Sequence, residues 1–310
     1  MTIIKNTLLS FILFNFFVAC NEGADEVLQY IDENKPGLTP MIFAPEFISS
    51  DSTTVFGSVF NAKGTEFFYA EDTSGKSIIK YTTIVNGKWI KPESIISEAD
   101  YNFNDPFLSP DESALYYISD RPIDSMDTIN DFNIWYSTKN NNKWSEPINV
   151  GDKINTDGNE FYISFTRDGS MYFASNKENY EKRKHDCDIY KSQFSEGEFL
   201  NPQILGDSIN TGRYEADVFI APDESYIIFT SARRSGFGSG DLYISFKNEN
   251  GQWSGAVNMG AEINTDGYEL CPFVTSDGKY LFYTSNQNIY WVSTGIFKSF
   301  RENNKSSDLK

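Results

Sequence analysis

Histidine is almost missing from this chain: His185 is the only one in 310 residues. A metal centre built on several imidazoles is therefore excluded. A Ser-His-Asp triad would have to use a residue inside "EKRKHDCD", a run that reads as a solvated loop. Cysteine is scarce too, with Cys20, Cys187 and Cys271 in no CxxC or Cys/His pairing, which removes any zinc signature. Cys187 and Cys271 fall in non-adjacent repeats, and a disulfide needs Cα atoms within ~7 Å, so both are expected as free thiols. Positive charge is thin: 26 Lys and Arg against 44 Asp and Glu leave a net charge of −18. That balance argues against nucleic acid, whose binding rests on neutralising phosphates, and against anionic lipid surfaces. Helical periodicity is nearly absent, and beyond the first nineteen residues no run approaches the ~18 apolar residues of a membrane helix. What is present is 16% aromatic and 39% hydrophobic residues, enough for one packed domain.

Residues 1–19 have the shape of a secretory signal, with "TLLSFILFNFFVA" ending in small residues just before Cys20. The Ala19-Cys20 junction resembles the lipobox of bacterial lipoproteins, with Phe17 where that pattern usually has Leu. The resemblance implies a lipid on Cys20 and membrane attachment through it. Residues 20–38 then read as a polar tether, 39–300 as the folded domain and 301–310 as a polar C-terminal tail.

One phrase recurs: "FLSPDESALYYIS" at 107–119, "SFTRDGSMYFAS" at 164–175, "FIAPDESYIIFTS" at 219–231 and "FVTSDGKYLFYTS" at 273–285. Its turn aspartates, Asp111, Asp168, Asp223 and Asp277, are 57, 55 and 54 residues apart, and "VFNAKGTEFFYA" at 59–70 is a degenerate fifth copy with Lys63 in the Asp slot. Asp-Gly or Asp-Glu between alternating apolar residues predicts a β-hairpin, with the aspartates as turn-formers. A third strand follows ("NIWYS", "DIYKS", "DLYIS", "NIYWV"), then a turn with an aromatic, then a short strand closing on "KINTDG", "SINTGR" or "EINTDG". Four strands per repeat predict an all-β fold, the β-propeller. The fifth repeat lacks its outer strand, and "TPMIFAPEFISSD" (39–51) matches "EPINVGDKINTD" (146–157). The expectation is thus five four-stranded blades, the last completed by the N-terminal strand, with 41–48 pairing around 288–293; six blades is the alternative.

The phrase "SPDxxxLYxxS…DIY…W…P.N.G..INT" resembles the WD-like repeat of TolB-type propellers over about 39–295. Members of that family are often six-bladed, where this count departs. The resemblance implies a cell-envelope propeller of Gram-negative type and no single activity, since the fold hosts unrelated functions.

Eight residues before three of the turn aspartates stand Glu160, Glu215 and Glu269; Val55 and Phe103 occupy the slot in the first two repeats. With Asp105 and Asp217 just inside, these acids are the candidate rim of the channel mouth. They would bind a ligand, with Arg121, Lys177 and Arg233 from the loops near them. The competing structural reading gives the glutamates loop amides to bind, and ties Arg121 and Arg233 to the start of the third strand. "RRSGFGSGD" fails as a phosphate loop because no helix follows it. The functional expectation is a non-enzymatic, lipid-anchored, monomeric binding or scaffolding module of the outer membrane, periplasmic or surface-exposed. Its partner is an envelope protein or a glycan, and no cofactor, metal or catalytic residue is assigned. The rival is a carbohydrate-binding or carbohydrate-active propeller using the same carboxylates, since glycoside cleavage needs only two acids.

Overall fold

In a computed structural model, residues 31, 34–50, 53–141, 143–177 and 186–307 are described. The proposed signal and Cys20 lie outside that range, as does His185. Within it the chain forms five antiparallel blades. Their innermost strands are Thr54–Phe60, Phe103–Leu108, Glu160–Phe165, Glu215–Ile220 and Glu269–Val274. Each blade runs outward in chain order from a strand that is nearly all buried, because successive blades cover both of its faces.

The N-terminal strand closes the ring. Met41–Ile42 pairs antiparallel with Asn288–Ser293, Met41 opposite Trp291 and Ile42 opposite Tyr290, and the Phe43 amide donates to Ile289 O at 2.8 Å. Phe43 is fully buried, with ring centroids 4.9 Å from Phe282 and 5.4 Å from Trp291 in the last blade and 5.2 Å from Phe67 in the first. One aromatic thus joins both ends of the circle. The pairing is shorter than the 41–48 expected: beyond Phe43 the chain turns at Ala44 (φ 43°) and Glu46 (φ 65°), with the Phe47 and Ile48 amides both donating to Ala44 O.

The turn aspartates behave as their spacing predicts. Asp111 Oδ1 accepts from the Ser109 and Ser113 hydroxyls and the Ser113 amide, and Asp168, Asp223 and Asp277 bind equivalent groups two residues on. These bonds hold the carboxyls of Asp111 and Asp168 below the usual range. At the other end, 297–307 is not the polar tail expected from 301 onward but a helix, Phe297–Ser307. Phe297 packs 5.4 Å from Tyr226, and the Arg301 guanidinium lies 5.0 Å over Phe246, so the helix is tied to blade 4. Cys187 and Cys271 are both free and buried.

Candidate functional site at the channel axis

The three glutamates share one environment, and it is an internal one. Glu160, Glu215 and Glu269 are each 0% exposed. Glu160 accepts from the Thr156 amide (3.1 Å), the Thr156 hydroxyl (2.8 Å) and the Ser175 hydroxyl (2.8 Å). Glu215 takes the same three bonds from Thr211 and Ser231, and Glu269 from Thr265 and Ser285. The "INT" phrase supplies the other half of this brace. Asn155, Asn210 and Asn264 accept from the amides of Ile134, Ile189 and Leu242 at 2.8 Å, and their side-chain amides donate back to the same residues' carbonyls. Asn therefore grips the third strand of one blade while the next residue, Thr, grips the Glu of the following blade. The glutamates are spent on this crossover and fully buried, so they form no ligand-contacting rim: each carboxylate accepts three hydrogen bonds from the fold itself. Burial drives the Glu160 carboxyl up to about 8 despite its three donors.

The loop cations are also placed internally. Arg121 pairs with Glu98 at 3.2 Å and lies 5.5 Å over Trp135. Arg233 donates to Ile209 O at 2.7 Å, stands 3.7 Å from Glu215 and stacks 4.7 Å over Tyr243. Lys177 sits 4.3 Å over the Tyr190 ring. Neither arginine ties the start of the third strand; Asp241 there accepts instead from the Phe237 and Gly238 amides and Asn258.

What converges on the axis lies two residues further along each innermost strand. Gly57, Asp105, Tyr162, Asp217 and Cys271 occupy one position in the five blades, and all have positive φ, between 38° and 54°. The strand pairing slips at this point in every blade, a bulge that turns one side chain out of the pleat and toward the centre. For four non-glycine residues this left-handed conformation is strained, and the closed ring of neighbours holds it. In blade 1 only glycine fits: a Cβ on Gly57 would lie 2.8 Å from Asp105 Oδ1.

The resulting collar is polar and buried. Cys271 Sγ is 3.4 Å from Asp105 Oδ1 and 3.9 Å from Asp217 Oδ1, while the Tyr162 hydroxyl donates to Pro272 O at 2.7 Å. Asp105 and Asp217 are 6% and 7% exposed. Burial raises the Asp105 carboxyl to about 6; burial, then the Asp105 charge, raises Asp217 to about 8. Burial beside the two carboxyls pushes the Cys271 thiol well above its ordinary value. One oxygen from each aspartate and Cys271 Sγ lie within 4.8 Å of one another, a set of atoms able to hold a metal ion, where the sequence had pointed to none. Sequence reasoning placed the two aspartates near the axis but weighed Cys271 only for a zinc motif or a disulfide, not beside them. The shared signal was legible: each collar residue precedes its turn position by six.

No family model and no curated protein matches the sequence. Among solved structures, the chain is similar to TolB from Acinetobacter baumannii, at 15% identity over 80% of this chain and 56% of that one, with a TM-score of 0.49. The chain thus spans little more than half the length of that TolB. An oligogalacturonate lyase in complex with manganese aligns over 86% of this chain and 97% of its own at 10% identity and TM-score 0.47. A chain of a nidogen/laminin complex aligns over 74% and 70% at 9% identity and 0.46. At these values the likeness carries nothing about chemistry.

Proposed function

We propose that the chain is a TolB-type, lipid-anchored β-propeller of the Gram-negative envelope that binds or scaffolds a protein partner without catalysing a reaction. The observation that carries the binding role is the face with the long loops between second and third strands. Met126 in the blade 2 loop is 83% exposed, flanked by the exposed Ile123 and Ile129, and the corresponding blade 4 loop exposes Phe237. Large apolar side chains held out on loops of a rigid scaffold are the usual makings of a protein contact. The acids that a hydrolase would need are engaged elsewhere: the glutamates brace the crossovers, and Cys271 stands between Asp105 and Asp217, in contact with both.

A photocrosslinker at position 126 in cells should give a discrete protein adduct, lost when Phe237→Asp is added, whereas one at Ile204 on the outer rim should not. Absence of an adduct at 126 overturns the binding face. Cys20→Ser should release the protein from membranes and abolish labelling by a palmitate analogue; unchanged retention removes the anchor. Turnover of an envelope glycan, lost in Asp217→Asn, would favour the carbohydrate-active rival.

A further inference from the structure

The blades meet differently at their turn ends. In blade 4 the turn between Ala221 and Tyr226 contains Glu224, whose side chain reaches back to blade 3 and accepts from the Tyr172 hydroxyl and Lys191, the latter at 2.6 Å. In blade 2 the equivalent Glu112 reaches back to blade 1, accepting from the Ala62 amide. In blade 3 the turn, closed by the Thr166 amide on Ser170 O, is one residue shorter, and Gly169 stands in this place. Among the described residues no side chain of this turn bonds back to blade 2, and an ion pair bridges the two blades here only at the outer edge, where Lys153 donates to Glu198 at 2.8 Å. A cleft of about 660 Å³ is left between blades 2 and 3, within the size range of small-ligand sites.

Its floor is aromatic. Tyr116 and Tyr136, opposite each other on neighbouring strands, stack at 5.3 Å with planes 26° apart, and Phe165 meets Tyr116 edge-on at 4.8 Å. Phe194, 43% exposed, overhangs Gly169 from a two-residue hairpin that leaves the blade 3 sheet. The rim is polar. Asp111 and Asp168 use Oδ1 for their own turns, and among the described residues Oδ2 of each has no hydrogen-bond partner. The Arg167 guanidinium makes no hydrogen bond or close ion pair among the described residues, though, after the Ser225 hydrogen bond, its charge helps to lower the Asp223 carboxyl; its amide donates to Pro222 O.

We propose that this cleft is a saccharide site that takes a short pyranose oligomer. The floor asks for a flat apolar face, which a pyranose ring offers through its axial C–H bonds. The rim asks for a ring of hydroxyls, with carboxylate oxygens free to accept and a guanidinium free to donate. A purely apolar ligand would strip water from those ions without replacing its hydrogen bonds. An organic cation would suit stacked tyrosines and carboxylates, but it would leave the Arg167 guanidinium without an acceptor; Lys153 at the same rim is already paired with Glu198 at 2.8 Å. The site is independent of the lipid anchor and of the loop face, so losing either reading leaves it standing.

The test uses the full chain in a sugar-free detergent, titrated calorimetrically with chitotriose, maltotriose and trigalacturonate. At least one should bind with a Kd below about 1 mM, and Phe194→Ser and Arg167→Ala should each weaken it about tenfold or more with an unchanged melting temperature. Both positions are exposed, so both variants fold. Trigalacturonate alone binding would assign Arg167 to a uronate carboxylate; a neutral sugar binding would assign it to hydroxyls. No binding by any of the three, or affinity unmoved in both variants, overturns the proposal.

Discussion

Two groups of buried or half-buried carboxylates in this ring face opposite electrostatic fates. At the axis, Asp105 and Asp217 have a thiol between them and form no salt bridge among the described residues, so burial drives both toward the neutral form. Between blades 3 and 4, burial also opposes the charge of Glu224, but Lys191 at 2.6 Å, Lys247 at 2.8 Å and the Tyr172 hydroxyl outweigh it and hold the carboxyl down at about 2. The difference is one of partners, not of depth alone: desolvation acts on both, and only one site has cations within reach. A third group, the brace glutamates, is buried most completely and relies on neutral hydrogen-bond donors, with Arg233 3.7 Å from Glu215 the one cation beside them among the described residues.

The comparison breaks most visibly at the braces. Glu269→Ala would leave the half-buried Thr265 amide and hydroxyl and the buried Ser285 hydroxyl without their acceptor, at about 1–3 kcal/mol each. The expected loss is about 3 kcal/mol or more, read by urea unfolding; a loss under about 1 kcal/mol would show that the brace carries no stability. Glu224→Gln should cost about 1 kcal/mol at pH 7, because the site keeps solvent contact that screens the pair. Its sharper signature is in acid. The folded pKa of Glu224 is depressed, so its contribution is complete above the unfolded value near 4.5 and is lost as pH falls toward 2. The variant should therefore show a shallower acid limb between about pH 4.5 and 2; an identical limb would refute the assignment.

The axis is expected to show the smallest effect near pH 4, with the opposite sign of pH dependence. The folded pKa of Asp217 is raised, so the folded state holds a proton that the unfolded chain has released. Its contribution is full below about pH 4 and declines as pH rises through about 8. Asp217→Asn should lie close to the parent near pH 4 and become the more stable protein at pH 9, by melting temperature. A variant whose melting curve tracks the parent at every pH would mean that Asp217 is ionised in the fold.

Much of this architecture is legible along the chain. The recurring hairpin phrase with its degenerate fifth copy, the four recognised third strands and the missing outer strand of the last repeat point to five blades and an N-terminal closure, because hairpins and alternation are local chemistry. The turn aspartates are legible for the same reason. The roles of Glu160, Glu215 and Glu269 are only partly so: the Thr that binds each one stands four residues earlier in the "INT" phrase, a local spacing, but their complete burial and the Ser on the second strand that completes the bonds appear only in the fold. The helix Phe297–Ser307 escapes for a related reason, since its anchoring ring, Tyr226, is distant in sequence.

The sequence by itself determined that repeated four-stranded blades form a ring, which residues turn between strands and which segment is borrowed to close it. All of these follow from hydrogen-bonding patterns within a few tens of residues; the structure decided for five blades over six. Tertiary structure alone decided which acids are neutral, which are ionised and which side chains share the axis. Bulges and left-handed residues re-aim Asp105, Asp217 and Cys271 from three blades toward a common point. There, the absence or presence of a cation from another blade sets the charge of each carboxyl, a property of the surroundings that no stretch of chain carries on its own.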